Sequence, residues 1–152
     1  MELDNVTVRE MRFEDLDEVL SIEASSSLSP WSKKMFVEEI LNPLAYCFII
    51  ENQESPTDQV VGFVCFRNVG DESELFNIAV HPQQRQVGIG KKLMQFYFHL
   101  CEEIGIKIYY LEVNTLNLPA ICFYQSLHYE RIGVRKKFYE GKFDALLMIK
   151  KD

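Results

Sequence analysis

The sequence predicts an α/β fold: a mixed, largely antiparallel central sheet flanked by helices, in a single domain over residues 1–152. Three observations lead there. Apolar runs of strand length follow one another through the first half with short polar turns between them, so consecutive strands pair as an antiparallel meander. A strand, a turn and a glycine-opened helical pattern then occupy 75–101, and a second strand–helix unit occupies 108–127. Two more strand-like runs close the chain.

Taken in order, residues Val6 to Met11 alternate as a first strand. Phe13, Leu16, Val19, Leu20 and Ile22-Glu23 recur at helical spacing, which puts Asp15, Asp17 and Glu18 on the wet side. A serine-rich loop from Ser25 to Pro30 precedes Ser32, the expected N-cap of a helix through Leu41 that Asn42-Pro43 stops. Tyr46 to Ile50 and Val60 to Phe66 read as strands joined by the polar turn 52–59, and a turn at Gly70-Asp71 leads to the strand Leu75 to Val80. His81-Pro82 ends that strand, because proline cannot extend a ladder. Lys91 to Cys101 carries apolar residues at helical spacing and stops at Gly105, a left-handed C′ residue. Glu102 and Glu103 oppose the dipole of that helix end, and nothing in the sequence accounts for them. Ile108 to Val113 is a second buried strand, Ala120 to Leu127 a short helix, and Ile132 to Arg135 and Ala145 to Ile149 the last two strands. No repeat, low-complexity tract or interdomain linker interrupts this order.

Composition narrows the function classes. A net charge of −7, from 23 acids and 16 bases, disfavours binding to a nucleic-acid backbone, which needs a basic face. It suits a cationic acceptor such as a basic polypeptide or a polyamine, and equally a merely soluble acidic protein. No segment approaches the roughly twenty apolar residues of a membrane span, and the polar N-terminus does not read as a signal peptide. Cys47, Cys65, Cys101 and Cys122 lie far apart inside apolar segments without a Cys-x-x-Cys pair, as reduced core residues of a cytoplasmic protein would. The three histidines are scattered, so no metal site is expected.

The most informative motif is Arg85-x-x-Gly88-x-Gly90, set between the strand Leu75 to Val80 and the long helix. Such a turn collects free backbone N–H groups at one point, where the helix dipole adds to them, and its natural ligand is a phosphate or pyrophosphate. Glycine removes the Cβ atoms that would hold a phosphate off. A dinucleotide fingerprint would need a third glycine where Leu93 stands, in a first βαβ unit, although Glu112 does lie at the distance of that motif's acid.

The second unit decides between ligands. The turn, the run Phe76-Asn77-Ile78-Ala79-Val80 and the block Leu111-Glu112-Val113 … Asn117-x-x-Ala120-x-x-x-Tyr124 resemble the GCN5-related N-acetyltransferase (GNAT) family in order and spacing. With Pro30-Trp31-Ser32, the resemblance is closest to the RimI-type branch, the ribosomal-protein alanine N-acetyltransferases, and it runs from about Val6 to Lys150. It implies acetyl-coenzyme A as cosubstrate, no metal, and a polypeptide N-terminus as acceptor. Two departures stand out: Gln86 and Val87 occupy positions where the family often carries arginine, and His128-Tyr129 replaces Gly-Phe. A left-handed His128 would cost about 1 kcal/mol.

The resemblance and the chemistry of acyl transfer together assign roles. The cofactor would be held by the backbone of Ile78, Ala79 and Val80 and by the turn Arg85, Gln86, Val87, Gly88, Ile89, Gly90 and Lys91, with Arg85 and Lys91 adding charge. Asn117 would cap the following helix and meet the cofactor. Glu112 is the expected general base, directly or through water: an acid inside an apolar strand is costly unless it opens on a cleft. Tyr124 is the expected proton donor to the departing sulfur. Trp31 and Tyr139 are expected at the acceptor, as is Asp144 more weakly, while Trp31 serves equally well as an ordinary hydrophobic anchor. Cys122 has no histidine at a partnering position, so direct transfer is expected rather than a covalent intermediate. Transfer to a lysine or small amine, and a non-catalytic acyl-coenzyme A sensor on the same fold, are the competing readings.

Overall fold

The computed structural model describes residues 5–54, 59–85, 87–139 and 141–152, with the side chains of Phe138 and Tyr139 outside that description. Among the described residues seven strands form one sheet: β1 (Val6–Glu10), β2 (Ala45–Asn52), β3 (Gln59–Val69), β4 (Glu72–Val80), β5 (Ile108–Asn114), β6 (Glu130–Tyr139) and β7 (Phe143–Lys151). Their spatial order is β1-β2-β3-β4-β5-β7-β6. The meander β1 to β4 is antiparallel as expected, and the β4–β5 pair alone is parallel. The last hairpin is longer at both strands than its apolar residues indicated, because ladder bonds carry β6 out to Tyr139.

Among the described residues four α-helices cover the two faces: α1 (Leu16–Ser26) and α2 (Lys33–Leu41) on one, α3 (Ile89–Glu103) and α4 (Leu118–Ser126) on the other. Strand alternation separates the two cores. Phe63, Cys65 and Ala79 pack with Leu16, Val19, Ile22 and Phe36, whereas Val64 and Phe66 pack with Leu93, Met94 and Tyr97. Between β3 and β4 the backbones lie close under α3. A Cβ on Gly62 would stand 3.0 Å from the Ala79 carbonyl and 3.2 Å from Leu93 Cδ1, so a side chain there would press the β4 backbone and Leu93 aside by a few tenths of an ångström.

The caps follow the sequence. Ser32 accepts from Met35 N at 3.2 Å. At the end of α3, Ile106 N donates to the Cys101 carbonyl and Gly105 N to that of Glu102, with Gly105 at φ 90°, a Schellman stop. Glu103 pairs with His99 one turn back. His128 is left-handed at φ 73°, as anticipated, and so is Lys137 at φ 51°.

Two expectations need correction. Asp15 is not on the wet side but buried, because Arg9 on β1 grips it with two parallel bonds of 2.8 and 2.9 Å. Cys122 is exposed on α4 rather than a core residue; all four cysteines are free, as expected, and Cys47 and Cys65 stand opposite each other across β2 and β3. Among the described residues no helix is long and apolar enough to cross a membrane.

Candidate active site

The site lies where the sheet opens. β4 and β5 pair only over Glu72–Leu75 and Ile108–Leu111. Beyond that they part, each still held on its outer side, β4 by β3 as far as Val80 and β5 by β7 as far as Asn114. Two cavities fill the wedge, of about 440 and 570 Å³. Ile78, Asn117 and Tyr124 line both, which makes them adjoining ends of one cleft.

The larger cavity is lined by the glycine turn. Gly88 caps α3 with φ 90°, a conformation that side chains resist. The first bond of the helix runs from Lys92 N to the Gly88 carbonyl at 3.0 Å. The N–H groups of Ile89, Gly90 and Lys91 precede it and have no carbonyl one turn earlier to meet. Ile78, Ala79, Val80, Arg85, Gly88, Ile89, Gly90, Lys91 and Asn117 all line this cavity. Ile89 is itself buried and anchors the turn, and Val87 is exposed. Gln86 lies outside the described residues. The Arg85 guanidinium turns back, with Nη2 donating to Ser26 Oγ at 2.9 Å and Nε to the Val80 carbonyl at 3.2 Å. It therefore ties the turn to the end of α1. A cavity of this size, ending in a fan of donors, fits a long thiol cofactor with a pyrophosphate at one end.

Tyr124 comes from α4, whose first turn is capped by Asn117 accepting from Ala120 N at 3.2 Å. The Tyr124 ring is 8% exposed and wedged between Phe123 at 5.6 Å and Tyr129 at 5.8 Å. Glu112 faces the smaller cavity from β5. Its surroundings are not the apolar ones its strand suggested: Arg135 Nη2, reaching over from β6, holds Glu112 Oε1 at 2.8 Å. Glu74 sits near this pair, and burial followed by repulsion from Glu112 pushes its carboxyl up.

Trp31 is both wall and anchor, since it lines the smaller cavity while its ring packs on Phe36 at 5.1 Å. Asp144 belongs to the hairpin, where its Oδ1 accepts from Lys137 N at 2.8 Å. Tyr139 pairs its backbone with Phe143, and its side chain lies outside the described residues.

Sequence reasoning missed Glu23, Asn77 and Asn114, which line the smaller cavity. Glu23 is 1% exposed; its Oε2 accepts from Trp31 N at 2.9 Å and from Asn77 Nδ2 at 2.7 Å. Burial pushes its carboxyl up, against the pull of those two bonds. A signal existed: Leu16, Val19, Leu20 and Glu23 share the i, i+3, i+4, i+7 stripe, so an acid sits where an apolar residue belongs. Asn114 ends β5 and accepts from Leu116 N at 2.9 Å. Among the described residues no cluster of His, Cys, Asp or Glu is placed to hold a metal ion.

Known proteins share the sequence and fold of this chain. The profile of the acetyltransferase (GNAT) family matches residues 16–129. The chain is 30% identical over 149 residues to the ribosomal protein bS18-alanine N-acetyltransferase of Escherichia coli (strain K12), covering 93% of this chain and 95% of that protein. It is 37% identical over 143 residues to a Bacillus subtilis (strain 168) protein provisionally given the same name, covering 93% and 92%. The crystal structure of the ribosomal-protein-S18-alanine N-acetyltransferase from Escherichia coli superimposes with a TM-score of 0.85 at 28% identity, covering 96% of this chain and 93% of that one. Ard1 from Thermoplasma volcanium shares the fold with a TM-score of 0.88 at 23% identity, covering 97% of each chain.

Proposed function

Because the chain belongs to the acetyltransferase (GNAT) family, whose members draw their acyl group from acetyl-coenzyme A, we propose that it acetylates the N-terminal α-amine of a protein, a ribosomal one, in the cytoplasm. In this reading residues 1–152 act as one catalytic domain. The observation that carries it is the single cleft with an anion-binding turn at one end, carboxylates at the other and Tyr124 at the junction. The names of the relatives favour the same acceptor.

The residues divide the work. Backbone N–H groups from Gly88 to Lys91 hold the pyrophosphate, and the backbone of Ile78 to Val80 takes the pantetheine arm. Glu112 accepts the proton of the ammonium, directly or through water. The amine nitrogen then attacks the thioester carbonyl carbon, the C–S bond breaks, and Tyr124 donates its proton to the departing thiolate. An α-amine titrates near 8 and a lysine near 10.4, so a modest base suffices for an N-terminus. A polyamine acceptor would favour several uncompensated acids along the cavity. Only Glu23 and Glu112 supply carboxylates to its lining among the described residues, and Glu112 already faces Arg135.

A coenzyme A-release assay tests the reading. Acetyl-coenzyme A is paired with peptides starting in free alanine, serine or methionine, and with N-blocked lysine peptides and spermidine. Turnover confined to free N-termini is expected. Turnover on the blocked lysine peptides or spermidine overturns the acceptor, and cofactor binding without turnover on any amine overturns the enzymatic assignment.

A further inference from the structure

Five buried side-chain polar atoms lack a hydrogen-bond partner among the described residues: Glu23 Oε1, Ser29 Oγ, Asn114 Nδ2 and the hydroxyls of Tyr109 and Tyr129. Buried polar groups are nearly always satisfied, so each exception asks for a cause. The two phenols belong to the apolar core around α3. The other three belong to residues that line one cavity, the acceptor end of the cleft. They approach it from different directions: Glu23 from α1, Ser29 from the loop that follows, and Asn114 from the end of β5. Their chemistry is also ordered, with an acidic acceptor, a hydroxyl of either sense and an amide donor.

We propose that Glu23 receives the α-ammonium group of the acceptor polypeptide, with Asn114 Nδ2 donating to the carbonyl oxygen of its first residue and Ser29 Oγ closing the cradle. This assignment rests on the N-terminal acetyltransferase reading and makes Glu23 the residue that selects a charged amine. Glu112 remains the group that takes the proton. Glu23 is rigidly placed for this, since Oε2 is spent on Trp31 N and Asn77 Nδ2 and leaves Oε1 as its one open acceptor. The three atoms are closed to water in the free protein, so the amine reaches Glu23 as the loop 27–31 shifts. Glu23 tethers that loop through Trp31 N, and recognition and loop position are therefore one event.

The test is a binding measurement on the coenzyme A-saturated protein, comparing an alanine-starting peptide with its N-acetylated form. The wild type should favour the free amine about tenfold or more, as a desolvated charge-assisted bond implies. In Glu23→Gln the amide oxygen keeps the bonds to Trp31 and Asn77 while its NH2 replaces Oε1, so a merely structural role predicts no change. The proposal requires the preference to collapse to within about twofold, with coenzyme A affinity unchanged. Glu112→Gln should lose turnover and keep the preference. A Glu23→Gln protein that still discriminates, or a Glu112→Gln protein that no longer does, overturns the proposal. The second arm decides the matter should Glu23→Gln fold poorly. Failure of these arms with wild-type turnover on free N-termini intact sinks the Glu23 assignment alone, whereas wild-type turnover only on lysine or spermidine sinks the functional reading beneath it.

Discussion

Gly88 and Gly90 belong to the same motif, yet the structure assigns them opposite responses to alanine. Gly88 has φ 90°, where an added side chain costs about 1–2 kcal/mol. Gly90 lies inside α3, and its Cβ would meet the Phe123 ring at 3.6 Å and Val80 Cγ2 at 3.8 Å, both ordinary contacts. Alanine there should gain about 0.5–1 kcal/mol of helix stability. At roughly 2–4 °C per kcal/mol for a chain of this size, Gly88→Ala should lower Tm by about 2–8 °C and Gly90→Ala raise it by about 1–4 °C. Binding should separate them too. Relaxing the strain at residue 88 turns the N–H groups of Ile89 to Lys91 off their common target, so acetyl-coenzyme A affinity should fall about tenfold or more, the loss expected when charge-assisted bonds are misdirected. Scanning calorimetry and cofactor titration measure both quantities. Equal destabilisation of the two variants, or a Gly88→Ala protein with wild-type Tm and affinity, would refute the argument from backbone conformation.

Four further outcomes are expected. Tyr124→Phe keeps the ring contacts with Phe123 and Tyr129, so kcat should drop about 10²–10⁴-fold while cofactor affinity holds; a wild-type kcat in the release assay would remove the phenol from proton donation. His128→Gly relieves a left-handed side chain at φ 73° and should add about 1 kcal/mol in denaturant titration, whereas an unchanged midpoint would place that strain elsewhere. Burial raises the Asp15 carboxyl, but the bonds from Arg9 and from Arg12 N outweigh it and leave the group below its ordinary 3.8. The unfolded chain thus binds more protons in that window, and the stabilisation is present above pH 3.8 and lost as pH falls through the folded value. Asp15→Asn should cost about 1–3 kcal/mol at neutral pH, a gap that closes in acid. Glu23, held above its ordinary range, has the reverse sign, so Glu23→Gln should gain on the wild type as pH rises through the folded value.

What the sequence disclosed was local. The meander needs only short turns, the caps at Ser32, Gly105 and Asn117 need only their neighbours, and the left-handed residue at His128 followed from the glycine it replaces. What it concealed was set by tertiary contacts that no local pattern marks. Asp15 reads as a solvated helix-start acid until β1 brings Arg9 against it. Glu112 reads as a carboxyl in apolar surroundings until the outermost strand brings Arg135 across β7. Cys47 and Cys65 become neighbours only through the β2–β3 register. The parting of β4 from β5 has no local signature, because both runs remain good strands throughout. Glu23 was legible, as an acid on the apolar stripe of α1, and was passed over because the residues around it obey the helical pattern.

The short β4–β5 ladder leaves the protein with a sheet edge in its interior. Beyond Leu75 and Leu111, the two strands turn backbone donors and acceptors toward each other without pairing. On an outer strand such a row invites foreign chains and aggregation, and proteins blunt it with charge or proline. Here the flanking helices wall it in, so an extended amide can use it only by entering the cleft. The same hazard that would make an outer edge sticky becomes a reading frame for linear backbones. A short peptide-like inhibitor built to complete this inner ladder should compete with both substrates at once.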